Sequence, residues 1–229
     1  MLYRQIAHEM SARGILFAVG GSVAIATHTR NPRVSKDLDL YVLPADKDRA
    51  VAVLNDLGFS DYYDRLPYER HWIYRAIIHD EIVDVIWQMA NRRAEVDERW
   101  LTEGPEVDLC GEGIKVLPME ELIWSKLYVL QRDRTDWPDI LNLLHCCQRR
   151  IDWRILFWRA GEDRPLLYAV LEVFRWLQPE FDHYLPDWLR ARMPIDGQDA
   201  SKEPEPRAAL LDSRNWLIPP PAEEGVECS

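Results

Sequence analysis

Three aspartates and a glycine pair are the residues of this chain best suited to chemistry. Asp37 and Asp39 stand two apart in KDLDLYV. Successive side chains of a strand alternate faces, so the two carboxylates share one face while Leu38 and Leu40 share the other. Two residues span roughly 6 to 7 Å of strand, which lets two carboxylates converge on one divalent cation or on a pair about 4 Å apart. Asp84 interrupts the apolar run EIVDVIWQ on the strand face it shares with Ile82 and Ile86. A carboxylate buried there is costly unless a metal ion, a hydrogen-bonding partner, an arginine or solvent meets it.

Upstream of the aspartate pair, Gly20, Gly21 and Ser22 join a short apolar strand, Ile15 to Val19, to a helix of small residues. Glycines at a helix start let the backbone approach a ligand closely, and the exposed N–H groups and helix dipole favour an anion such as a triphosphate. Gly-Gly-Ser is also an ordinary strand-to-helix turn. Its place just before Asp-Leu-Asp is what makes it informative. Arg33 and Lys36, with Arg30, form a basic cluster before Asp37 that suits nucleotide phosphates or a leaving pyrophosphate, or equally a solvated loop.

The order Gly-Gly-Ser, Asp-x-Asp on a strand and one Asp on a later strand resembles the nucleotidyltransferase superfamily with the DNA polymerase β-like fold. The downstream segment LPMEELIWSKLYVLQRDRTDWPDILNLL resembles the Pro, Glu-Leu-Ile, Lys, Arg and Asp-x-x-Asp segment of AbiEii-type toxins and related bacterial minimal nucleotidyltransferases. The resemblance covers roughly Phe17 to Leu144. It implies transfer of a nucleoside monophosphate from a nucleoside triphosphate, ATP for example, to an acceptor hydroxyl on a small molecule, a protein or a tRNA. Asp37, Asp39 and Asp84 would then hold Mg²⁺, two ions being expected, with Asp84 completing the second metal site or accepting the proton of the attacking hydroxyl. The AbiEii-like segment implies a toxin with an antitoxin partner. By the same resemblance Lys126 approaches a nucleotide phosphate, while a pair with Asp136 or Asp139 is the intrachain alternative. A catalytically inert nucleotide-binding or scaffold module of the same fold is the other reading, against which all three carboxylates and the glycine turn speak.

The elements that must position these residues follow from periodicity. A first helix carries Ile6 and Met10 on one side, and a helix from Ala45 ends at Gly58. A hairpin runs from about His71 through a turn at Asp80 and Glu81 to the Asp84 strand, and a second hairpin covers Val107 to Val116. Tyr62, Tyr63 and Tyr68 precede the first hairpin and suit packing more than base stacking. From Pro118 the pattern is helical, with Asp136 at an expected N-cap and Trp124, Trp153, Trp158 and Trp176 read as interhelical packing. The expected architecture is α/β (α+β): a small mixed β-sheet with flanking helices of the nucleotidyltransferase fold, then a C-terminal helical bundle. A catalytic domain over 1–117, a helical domain over 118–193 and a Pro- and Glu-rich tail over 194–229 are expected.

Composition bounds the partners. The 229 residues carry a formal net charge of -11, which argues against broad nonspecific binding to nucleic acid, because that binding needs a basic surface. The four cysteines show no zinc or disulfide spacing. The amphipathic start has no long apolar run, and no stretch suits a membrane span. A cytoplasmic location is expected.

Overall fold

In a computed structural model the described residues are 2–32, 37–109, 111–131 and 134–193. They fall into two compact units, the first comprising the described residues up to Thr27 and from Pro32 to Leu122, the second His28–Asn31 and the described residues from Ile123 on.

The first unit is built on a five-stranded mixed sheet. Its strands are β1 (Phe17–Val19), β2 (Asp37–Val42), β3 (Ser60–Asp61), β4 (Ile73–Ile78) and β5 (Glu81–Ile86), in the order β1-β2-β5-β4-β3. Within this sheet β2 and β5 run parallel, and the other neighbouring strands pair antiparallel. A parallel pair needs a crossover, and the chain between them supplies it through α3 (Lys47–Asp56), β3 and β4. Along β2, Leu38, Leu40 and Val42 are buried while Asp37, Asp39 and Tyr41 are half-buried, which is the alternation expected of a strand with one face on a core. Helix α1 (Leu2–Ala12) adds Ile6 and Met10 to that core, and α3 adds Ala50, Val53 and Leu54.

Helix α2 (Gly21–Thr29) starts directly after β1, and Gly20 accepts its Ala24 N–H. After β5, α4 (Glu98–Thr102) buries Trp100, whose ring stacks on Tyr41 with centroids 5.6 Å apart. The Tyr41 ring in turn fills the space beside Gly20, where a Cβ would come within 2.3 Å of it. The second hairpin forms as β6 (Glu106–Leu109) and β7 (Glu112–Lys115). The first turns one residue earlier than expected: Ile78 pairs with Glu81, so the bend is at His79 and Asp80, with His79 at φ +53.

In the second unit, which follows α5 (Met119–Leu127) in the chain, α8 (Arg164–Leu177) packs on α6 (Trp137–Cys147) and α7 (Trp153–Ala160), and Phe157 of α7 meets Trp188 of α9 (Asp187–Arg190) edge-on. Leu143, Leu144, Leu156, Val170, Leu171 and Phe174 are buried, and Phe174 meets Phe181 edge-on at 4.6 Å. His28–Asn31 joins this unit because the His28 carbonyl accepts from the Cys147 thiol at 3.2 Å and from Arg150. Trp124 and Trp153 are buried as expected of packing residues, but Trp158 is 64% exposed and lies under the Arg159 guanidinium. No described helix is long and apolar enough to cross a membrane.

Candidate active site

One row of residues starts at the glycine turn and crosses three strands of the first unit. The Gly20 N–H donates to the Asp39 carbonyl at 2.9 Å. Asp39 is in register with Asp84 on β5, and Asp84 with Arg75 on β4. Adjacent strands lie about 4.8 Å apart and directly opposed residues share a face. Asp39, Asp84 and Arg75 are therefore neighbours on one face, and Asp37 joins them from two positions back, opposite Ile82. Three of the residues singled out in the sequence thus meet, from segments more than forty positions apart.

The glycine turn closes one end of the row. Gly21 has φ +52, and a Cβ there would lie 1.7 Å from Asp39 Oδ2. No side chain fits between the turn and that carboxylate, so glycine is required for both conformation and space. Ser22 follows as the second residue of α2, half-buried at the helix N-terminus.

Asp84 is only 2% exposed, and Arg75 meets it as a two-pronged fork. Nε donates to Oδ1 at 2.8 Å and Nη2 to Oδ2 at 2.6 Å. Those hydrogen bonds raise the proton affinity of the guanidinium, partial burial opposes them, and the charges of Asp84, Asp37 and Asp39 add to the rise. Arg75 is also fixed along its backbone, because its N–H donates to Tyr68 Oη at 3.0 Å. Tyr62 lies beside the guanidinium, its ring centre 5.8 Å away. Tyr63 and Tyr68 instead pack edge-on against each other, with Arg70 4.1 Å over the Tyr63 ring.

A further neighbour comes from α1. Tyr3 Oη donates to Glu81 Oε2 at 2.7 Å. Burial first, then the hydrogen bond and charge of Glu81, then the charge of Asp37 push its phenol up to about 12. Tyr3 and Arg75 are the residues that the sequence reading missed. Tyr3 was visible one helical turn before Ile6 on the buried side of α1.

Asp37 and Asp39 are hard oxygen donors of the kind Mg²⁺ takes, and they share one strand face. The pair fits a divalent cation. Both oxygens of Asp84 face Arg75 instead, and among the described residues no group of three or more His, Cys, Asp or Glu is arranged to hold a metal ion. Arg33 and Lys36 lie outside the described residues.

Lys126 belongs to the second unit. Its ammonium is held there by Asp136 Oδ2 at 2.9 Å and Asp139 Oδ2 at 2.8 Å, and all three side chains are largely buried. Arg134 also reaches Asp136, at 3.2 Å. Asp136 occupies the expected N-cap position of α6, but its side chain makes no capping hydrogen bond. Its carboxylate is spent on the two cations.

A family profile described as "Uncharacterised nucleotidyltransferase" matches residues 2–162, which include the whole row. The chain belongs to that family. This nucleotidyltransferase is an enzyme that moves a nucleoside monophosphate from a nucleoside triphosphate to an acceptor. Comparison with curated proteins gives no match. Among solved structures it is similar to the antibiotic-resistance factor ANT(2″)-Ia in solution, at 20% identity over 80% of this chain and 94% of that one, with a TM-score of 0.44. ANT(2″)-Ia in complex with adenylyl-2″-tobramycin matches at 20% identity over 76% and 95%, TM-score 0.46. The lincosamide antibiotic adenylyltransferase LnuA, lincomycin-bound, matches at 15% identity over 62% and 93%, TM-score 0.45.

Proposed function

We propose that the carboxylate row of the first unit is where this nucleotidyltransferase works, as a Mg²⁺-dependent enzyme that transfers a nucleoside monophosphate to an acceptor hydroxyl. The observation that carries this reading is the register of Asp39 with Asp84 beside a glycine turn that touches the Asp39 carboxylate. Asp37 and Asp39 hold the ion, which when bound neutralises phosphate charge and polarises the α-phosphorus. Gly20, Gly21 and Ser22 receive the triphosphate at the N-terminus of α2, where free N–H groups and the helix dipole meet its charge. Arg33 and Lys36, next to Asp37 in sequence, add cations for the leaving pyrophosphate. Asp84, oriented by Arg75, accepts the proton of the attacking hydroxyl as its oxygen bonds to the α-phosphorus and the bond to pyrophosphate breaks. The net charge of -11 supports a hydroxyl on a small molecule or a protein over a nucleic acid.

The test is to incubate the pure protein with α-labelled nucleoside triphosphates, Mg²⁺ and a cell extract. Pyrophosphate release that needs Mg²⁺ and falls by about a hundredfold or more in Asp37→Asn is expected. Turnover retained by that variant at full rate rejects the site. The labelled product names the acceptor: label on a small molecule indicates a modifying enzyme, and label on a cellular protein or tRNA the toxin reading.

A further inference from the structure

The row does not stop at Arg75. Strand β3 pairs with β4 as Ser60 to Ile77 and Asp61 to Ala76, and that register carried one residue further sets Tyr62 opposite Arg75. The Tyr62 ring centre lies 5.8 Å from the guanidinium. The order along the row is therefore the glycine turn, Asp39, Asp84, Arg75 and Tyr62. Tyr62 differs from its neighbours in what holds it. Tyr68 donates to Asp61 at 2.9 Å and accepts the Arg75 N–H, and Tyr63 lies under Arg70, so both are spent on the loop. Asp61 also takes the Tyr63 N–H at 2.8 Å and Arg70 at 2.6 Å, which fixes the loop that carries Tyr62. Tyr62 itself is half-buried, and its hydroxyl makes no hydrogen bond among the described residues.

We propose that Tyr62 is a specificity residue for the acceptor, and that it stacks the ring of a small cyclic polyol whose hydroxyl reacts at Asp84. The proposal rests on the assignment of the row as the catalytic site and names the acceptor class for it. With the triphosphate at the glycine turn and the proton taken by Asp84, the body of the acceptor extends away from the donor, because attacking and leaving oxygens stand in line across the α-phosphorus. That direction leads over β4 to Tyr62, two strand spacings or about 10 Å from Asp84. A small ring-bearing molecule covers that span. At its far end the Tyr62 ring meets the apolar face of a saturated ring. Tyr62 Oη and Arg75 Nη1, the guanidinium nitrogen outside the fork on Asp84, suit oxygens on that ring. A flat apolar face and an oxygen-binding edge together describe a ring with several hydroxyls.

The experiment follows α-labelled nucleoside triphosphate and Mg²⁺ with a whole cell extract and with its dialysable fraction. Part of that fraction is first treated with periodate, which cleaves vicinal diols, and quenched before the nucleotide is added. The wild type labels a dialysable species, and periodate treatment abolishes the labelling. Tyr62→Ala needs about tenfold or more of the fraction for half-maximal rate, with the saturated rate and the KM for the nucleotide unchanged. Tyr62→Phe, which keeps the ring and its packing, needs about threefold more. Tyr63→Ala changes neither constant beyond about twofold. A wild type that labels only macromolecules of the whole extract, labelling that survives periodate, or a folded Tyr62→Ala with wild-type half-saturation overturns the proposal. So does an equal loss in Tyr63→Ala, which assigns the effect to the loop. Any of these with Mg²⁺-dependent transfer intact removes the subsite and leaves the catalytic row standing. A wild type that transfers no label and releases no pyrophosphate in either preparation takes the catalytic assignment down with it.

Discussion

Arg75 and Lys126 each grip carboxylates, and the two clusters differ in their surroundings. Around Lys126 the balance is even: Lys126 and Arg134 face Asp136 and Asp139. Around Arg75 one guanidinium forks onto Asp84 and also feels the charges of Asp37 and Asp39, which share its strand face. An even cluster is complete as it folds. The other lies on a strand face beside a glycine turn, and strongly perturbed groups gather where function needs them. Place beside the turn, more than burial, distinguishes the Arg75 cluster.

The comparison breaks most visibly if one carboxylate is neutralised in each cluster. Asp39→Asn is expected to lower turnover by about a thousandfold, because the proposed metal ligand is lost. Its melting temperature should hold, because the amide keeps the size and shape of the carboxylate. Asp139→Asn should do the reverse, with a lower melting temperature and unchanged turnover per folded molecule. Matching effects in both clusters, read by calorimetry and pyrophosphate release, would erase the distinction.

A smaller effect sharpens the first cluster. Gly21→Ala forces a methyl into the Asp39 carboxylate at a backbone angle that alanine dislikes. Turnover should fall about a hundredfold, with a stability loss of about 1–2 kcal/mol. Alanine tolerated at full rate would show that the turn does not brace Asp39. Next, Lys126→Met should destabilise by about 2 kcal/mol, less than for a fully buried pair because both carboxylates keep some solvent. The nucleotide affinity of the folded fraction should be unchanged, and a clear weakening would make Lys126 a ligand residue.

The smallest effect is on pH. Burial raises the Asp136 carboxyl, but Lys126 and Arg134 outweigh it and hold the group below its usual value of 3.8. A lowered carboxyl contributes stability that is fully present above its unfolded value and is lost as pH falls through its folded one. Asp136→Asn should therefore flatten the loss of stability below about pH 4. An unchanged acid limb in urea titrations would show that the cations do not act on Asp136 in this way.

Much of this arrangement could be read from the sequence, and one small error explains what could not. The Asp-x-Asp alternation, the glycine turn and the strand nature of Asp84 all follow from local rules, and the observed β2 and β5 show them. Arg75 was hidden by a turn misplaced by one residue. A bend at Asp80 and Glu81 would oppose Asp84 with the apolar Ile77, whereas the real bend at His79 and Asp80 opposes it with Arg75. His79 adopts φ +53, a conformation for which histidine gives only a faint signal. Tertiary demand likewise overrode local preference at Asp136, whose carboxylate turned from the helix end to two cations.

The stack of Gly20, Tyr41 and Trp100 has a consequence for how this lineage can vary. Each member fills the room left by the previous one, with Trp100 behind Tyr41 and Tyr41 behind the missing side chain of residue 20. Evolution can alter such a trio only in concert: a bulkier residue at position 20 must arrive together with a slimmer one at 41. Relatives that have exchanged one partner should carry compensating exchanges at the others.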